Sequence, residues 1–124
     1  MKYMLLCYDD EQAWQQAGQA AHRAAMNEAA GLCHEMAAKG QYLLASPLQP
    51  VATATSVRLR DGKRIVTDGP FAETREVLGG FFLIDVASLD EAIAIAERHP
   101  GARFGTVEIR PIVELPGLPN TTSQ

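Results

Sequence analysis

Glu108 and Arg110 stand two apart in GTVEIRPI, a spacing that sets a carboxylate and a guanidinium on the same face of an extended chain. Such a pair can take an anion, the carboxylate orienting the guanidinium for a two-pronged contact, and the same spacing equally serves a buried structural ion pair. A second concentration of acid lies in TDGPFAETREVLGG, Thr67 to Gly80. Asp68-Gly69-Pro70 is strong turn chemistry: the acid can bond backbone amides two residues on, glycine permits a left-handed backbone and proline fixes φ. The turn sends Phe71 to a defined place. Either Phe71 anchors the loop and Asp68 is a turn acid, or the loop walls a pocket into which Asp68 and Glu73 face; long ordered connections of this kind are disproportionately functional. On the second reading Asp68, Glu73 and Glu108 are the candidate proton-transfer groups, with Arg110, Phe71 and His22 contacting ligand.

The other chemically capable residues carry weaker signals. Arg75 and Glu76 are adjacent, so an extended chain points them apart, as solvated charges or an intersubunit pair. Gly79-Gly80 at a strand start allows close backbone approach without any ligand. His22 falls on the apolar stripe of a long helix and reads as an interior histidine with an acid–base role as its alternative. His34 lies toward the polar side, and His99 sits in a last helical turn where the C-terminal dipole favours its ring. No histidines and cysteines show metal-ligand spacing, and no cofactor is called for. Cys7 and Cys33 lack a CxxC context and read as reduced, buried thiols.

The elements that must hold these groups follow from periodicity. KYMLLCY is a strand ending at an acidic pair, of which Asp9 is the expected cap of a short helical turn containing Gln12. From Gln19 to Lys39, His22, Met26, Ala29, Ala30, Cys33, Met36 and Ala37 recur at helical spacing, and Gly40 ends the helix. QYLLASPL is a second strand. TSVRLRDGKRIVT folds back at Asp61-Gly62 into a hairpin, and GGFFLIDV, apolar on both faces, is a buried central strand. Ser88 and Glu91 form a capping box for a helix whose inward stripe is Leu89, Ala92, Ile93 and Ala96, and GTVEIRPI is the last strand. The order predicts an α+β, ferredoxin-like β-α-β-β-α-β fold with an extra hairpin strand, spanning residues 1–115, followed by a loosely ordered tail at 116–124.

Composition limits the partners. The 124 residues suit one domain, and a net charge of −4 with scattered basic residues argues against nucleic acid. No apolar run is long enough to span a bilayer and no leader is evident, so a cytoplasmic location is expected. Two helices cover one face of the sheet, yet the strands offer apolar groups to both faces, Met4, Leu6 and Tyr8 against Tyr3, Leu5 and Cys7, and Phe81 and Leu83 against Phe82 and Ile84, so the second face needs a cover too. A second copy is the simplest cover, giving a homodimer with Glu108 and Arg110 directed into the space between the sheets.

VTDGPFAETREVLGGFFL, with MKYMLLCY before it and GTVEIRPI after it, resembles the YCII-related family, in particular the DGPF-domain branch named for Asp68-Gly69-Pro70-Phe71. The resemblance covers residues 1–113 and implies a dimeric α+β barrel of two ferredoxin-like subunits. Members of the wider family resemble small ring-modifying isomerases and a dehydrochlorinase that use a His-Asp pair, for which this chain offers no evident counterpart, His22 lying on a helix in different surroundings. The DGPF branch is also similar to proteins encoded beside or fused to alternative sigma factors. The resemblance therefore leaves two readings open: a cofactor-free enzyme binding a small polar or anionic metabolite, and a regulatory module linked to a sigma factor.

Overall fold

The structure is a computed structural model that describes residues 1–119, so the expected tail lies outside the described residues from position 120 onward. Strand β1 (Lys2–Asp9) leads into a short helix α1 (Glu11–Ala17) and a long helix α2 (Gln19–Ala38), then strand β2 (Tyr42–Pro47). A single 3₁₀ turn at Val51–Thr53 precedes the hairpin β3 (Thr55–Arg60) and β4 (Lys63–Asp68). Strand β5 (Val77–Asp85), helices α3 (Leu89–Arg98) and α4 (Gly101–Phe104), and strand β6 (Gly105–Pro111) complete the chain.

Four strands form one antiparallel sheet in the order β2-β5-β1-β6, the ferredoxin-like arrangement expected from the element order. The hairpin forms a separate two-stranded sheet. Alternation along β1 sends Tyr3, Leu5 and Cys7 to the helices and Met4, Leu6 and Tyr8 to the other side. Val107 and Ile109 of β6 pack toward the core while Thr106, Glu108 and Arg110 are exposed, as the aliphatic phase of that strand predicts. Leu5, Met36 and Ile84 are the largest fully buried side chains, joining β1, α2 and β5 into one core.

Register lays the uncovered face out in rows. Leu44, Leu83, Met4 and Arg110 lie side by side across the four strands, and next to them Ser46, Phe81, Leu6 and Glu108. Cross-strand neighbours share a face, so this surface is apolar over β2, β5 and β1 and charged along β6.

Both helix stripes are rotated part of a residue step from the sequence expectation, keeping Ala29, Cys33 and Met36 on α2 and Ala92 and Ala96 on α3 inward. On α2 the inward residues are Ala25, Leu32 and Met36, flanked by Ala29 and Cys33, and His22 and Met26 are exposed. Alanine-rich α2 carries little contrast between its faces, so leucine and the small residues that allow close helix–sheet approach decide which side turns in. On α3, Ile95 replaces Ile93 beside Ala92 and Ala96, while Leu89 and Ile93 remain exposed. The Ser88 cap is present, its hydroxyl accepting from the Glu91 amide at 3.3 Å.

Candidate functional site

The end of β1 sets the local geometry. Asp10, not Asp9, caps α1: its side chain accepts from the Gln12 amide at 3.0 Å. Asp9 is still in the strand, and its carboxylate accepts the indole N–H of Trp14 at 2.8 Å. Gly18, at φ +95°, then turns the chain between α1 and α2. That turn brings His22 back against Trp14, edge to face with ring centroids 5.2 Å apart. Phe104 contacts the same indole at 4.6 Å.

Burial pushes the Asp9 carboxyl above its ordinary range; the Trp14 hydrogen bond opposes this, Glu11 adds to it, His22 opposes it, and Glu76 adds to it. The double glycine is explained here. A methyl group on Gly79 would lie 3.1 Å from Asp9 Oδ1, and one on Gly80 would lie 3.0 Å from the Ser46 carbonyl oxygen. Gly79 thus makes room for the carboxylate and Gly80 lets β2 pair with β5.

Beside this cluster an open cleft of about 530 Å³ is lined by Tyr8, Glu76, Thr106 and Glu108. Tyr8 pairs across the sheet with Thr106, and Leu6 with Glu108, which places the three polar side chains at one end of the uncovered face. The Tyr8 hydroxyl donates to Glu108 at 3.4 Å, and the Thr106 hydroxyl donates to Glu76 at 3.2 Å. Two carboxylates therefore border one cleft, each attended by a hydroxyl. Among the described residues no three His, Cys, Asp or Glu side chains assemble as a metal-ligand set.

Of the six residues singled out from sequence, Glu108 lines the cleft, and Arg110 lies one row away on the same face. Asp68, Phe71 and Glu73 do not line it. Asp68 is exposed at the base of the hairpin, where the Gly69 amide donates to the Ala54 carbonyl at 2.6 Å and the Ser56 hydroxyl donates to the Gly69 carbonyl at 2.8 Å. Gly69 has the left-handed φ, +105°, that the turn chemistry predicts. Phe71 is 77% exposed, so within one chain it anchors nothing. His22 is exposed rather than interior, yet it faces Trp14 and lies within electrostatic reach of Asp9.

Tyr8, Asp9, Trp14 and Glu76 were missed. Arg75 and Glu76 do point apart: Arg75 reaches Asp10 at 3.4 Å while Glu76 turns to the cleft. Tyr8 shares its strand phase with Met4 and Leu6, which was readable; its pairing with Thr106 depends on register, which was not. His99 also differs from expectation. Its Nδ1 accepts the Gly101 amide at 2.8 Å, its Nε2 lies 3.6 Å from Cys7 Sγ, and its ring meets Phe82 edge to face, so burial lowers its pKa. Both cysteines are free; burial, then the Asp9 charge, pushes the Cys7 thiol up to about 12.

Fold and site together define an α+β protein of ferredoxin-like topology with an acidic, hydroxyl-bearing cleft at one end of an uncovered sheet face. The YCII-related domain matches residues 1–116, and the chain is 37% identical over 114 residues to an uncharacterized protein, R00369, of Rhizobium meliloti (strain 1021), covering 90% of this chain and 92% of that one. The chain belongs to the YCII-related family.

Proposed function

We propose that this protein is a homodimer that binds a small polar or anionic metabolite in the cleft at the Tyr8 end of the sheet and moves a proton on it without a cofactor. The observation that carries this reading is the convergence of Glu76 and Glu108 on one cleft, each beside a hydroxyl. Glu108 accepts the substrate proton, Tyr8 donates to the oxygen on which charge develops, and Arg110, on the same face, holds an acidic substituent. The Asp68-Gly69-Pro70-Phe71 turn, which supports placement in the DGPF branch, closes the hairpin base in this reading and takes no chemical role.

A thermal-shift screen of ring acids, lactones and phenols tests it. Compounds that raise the wild-type melting temperature are expected to lose their effect in Glu108→Gln and to weaken at least about tenfold in Arg110→Ala, the cost of one charge-assisted contact. Hits that persist unchanged in both variants would place the ligand elsewhere.

A further inference from the structure

Among the described residues, the β3–β4 hairpin is fastened to the rest of the fold at its base. Of its twelve strand residues only Ser56 is even half-buried. The base is fastened by the Gly69–Ala54 hydrogen bond, by the Leu48 amide donating to the Gly79 carbonyl at 2.9 Å, and by the Val51 amide donating to Glu11 at 2.8 Å. Beyond it, six residues per strand carry the Asp61-Gly62 tip about 20 Å outward. A lone two-stranded ribbon of this kind is marginal in water.

Pairing sorts the arm into two faces. Val57 faces Val66 and Leu59 faces Arg64 on one; Arg58 faces Ile65 and Arg60 faces Lys63 on the other. Val57 and Leu59 are 65% and 67% exposed, an apolar strip left open by the described residues. Arg58, Arg60, Lys63 and Arg64 make the arm basic in a chain of net charge −4, and among the described residues none of them is ion-paired. The uncovered sheet face has the matching character: apolar at Leu44, Phe81 and Leu6, acidic at Glu76 and Glu108.

From this complementarity we infer that the arm of one copy lies on the uncovered sheet face of a second, with Val57, Leu59 and Val66 on its apolar rows and Arg64 entering its acidic cleft. The inference rests on the homodimer reading above and adds to it that each cleft is completed in trans by a guanidinium. The acidic cleft then offers an anionic substrate group two cations, Arg110 of its own chain and Arg64 of the partner subunit.

Cysteine trapping tests the placement. Chains carrying Arg64→Cys and Glu108→Cys, each in a Cys33→Ser background, are mixed, allowed to exchange and oxidised; both positions are exposed, so folding is not at stake. A covalent mixed dimer is expected, and none when Arg64→Cys is mixed with Glu97→Cys on the helix side. Leu59→Asp is expected to raise the dimer dissociation constant at least about tenfold. If wild type sediments as a dimer yet Arg64→Cys and Glu108→Cys do not join, or join no better than the Glu97→Cys control, the arm is misplaced while the dimer stands. A wild type that sediments as a single chain overturns both readings.

Discussion

Asp9 is held by opposing demands. Its carboxyl is taken partly out of water at the strand end, and the Trp14 N–H compensates for only one of its oxygens. Because its folded pKa lies above the unfolded value of 3.8, its favourable contribution is complete below that value and is lost as pH rises through the folded pKa; at neutral pH the ionised group opposes folding. Asp9→Asn keeps an acceptor for Trp14 and removes the charge. It is expected to melt about 1–3 °C above wild type at pH 7, with the advantage gone below pH 3.8, read by calorimetry across a pH series. His99 runs the other way. Its folded pKa lies below 6.5, so the unfolded chain binds more protons as pH falls beneath that value, and stability present above it is lost through the folded pKa. Protonation also sets a second donor against the Gly101 N–H. His99→Asn, which offers an acceptor that does not titrate, is expected to flatten the acid limb of the melting curve.

At the scale of elements, alternation divided each strand into two faces, and in β6 residue types alone chose the inward one; β1 and β5 are apolar on both faces, so packing against the helices decides which side is buried. Helix phase was less legible. Alanine scattered around α2 left His22 and Met26 looking as inward as Met36, and only packing against the sheet selects Ala25 and Leu32. Half of the candidate site was hidden for a related reason: Glu108 declares itself by type, but its meeting with Tyr8, and that of Glu76 with Thr106, requires the β1–β6 register and the course of the loop before β5. That register begins at Gly105, where a side-chain carbon would collide with the Tyr8 carbonyl oxygen. Gly105→Ala is therefore expected to destabilise by upward of about 2 kcal/mol and to loosen the Tyr8–Thr106 end of the sheet. Hydrogen exchange should show lost protection at the start of β6; an alanine variant with wild-type protection there would remove the register argument.

For the molecule as a whole, the decisive feature is unequal coverage. Helices α2 and α3 seal one side of the sheet, tied to each other through Arg98 and Glu35, and α2 is tied to α4 through Arg103 and Glu28 at 2.7 Å. Among the described residues no helix is long and apolar enough to cross a membrane. With Leu44 half exposed and Met4, Leu6, Phe81 and Leu83 incompletely covered, each 100 Å² left wet forgoes about 2.5 kcal/mol. In the proposed homodimer a second copy closes that face and turns the Tyr8–Glu108 cleft into an interior. Sedimentation equilibrium on the wild-type chain at micromolar concentration tests this most directly. The account predicts a mass twice the 13.4 kDa of one chain, and a single-chain mass maintained across the concentration range would contradict it.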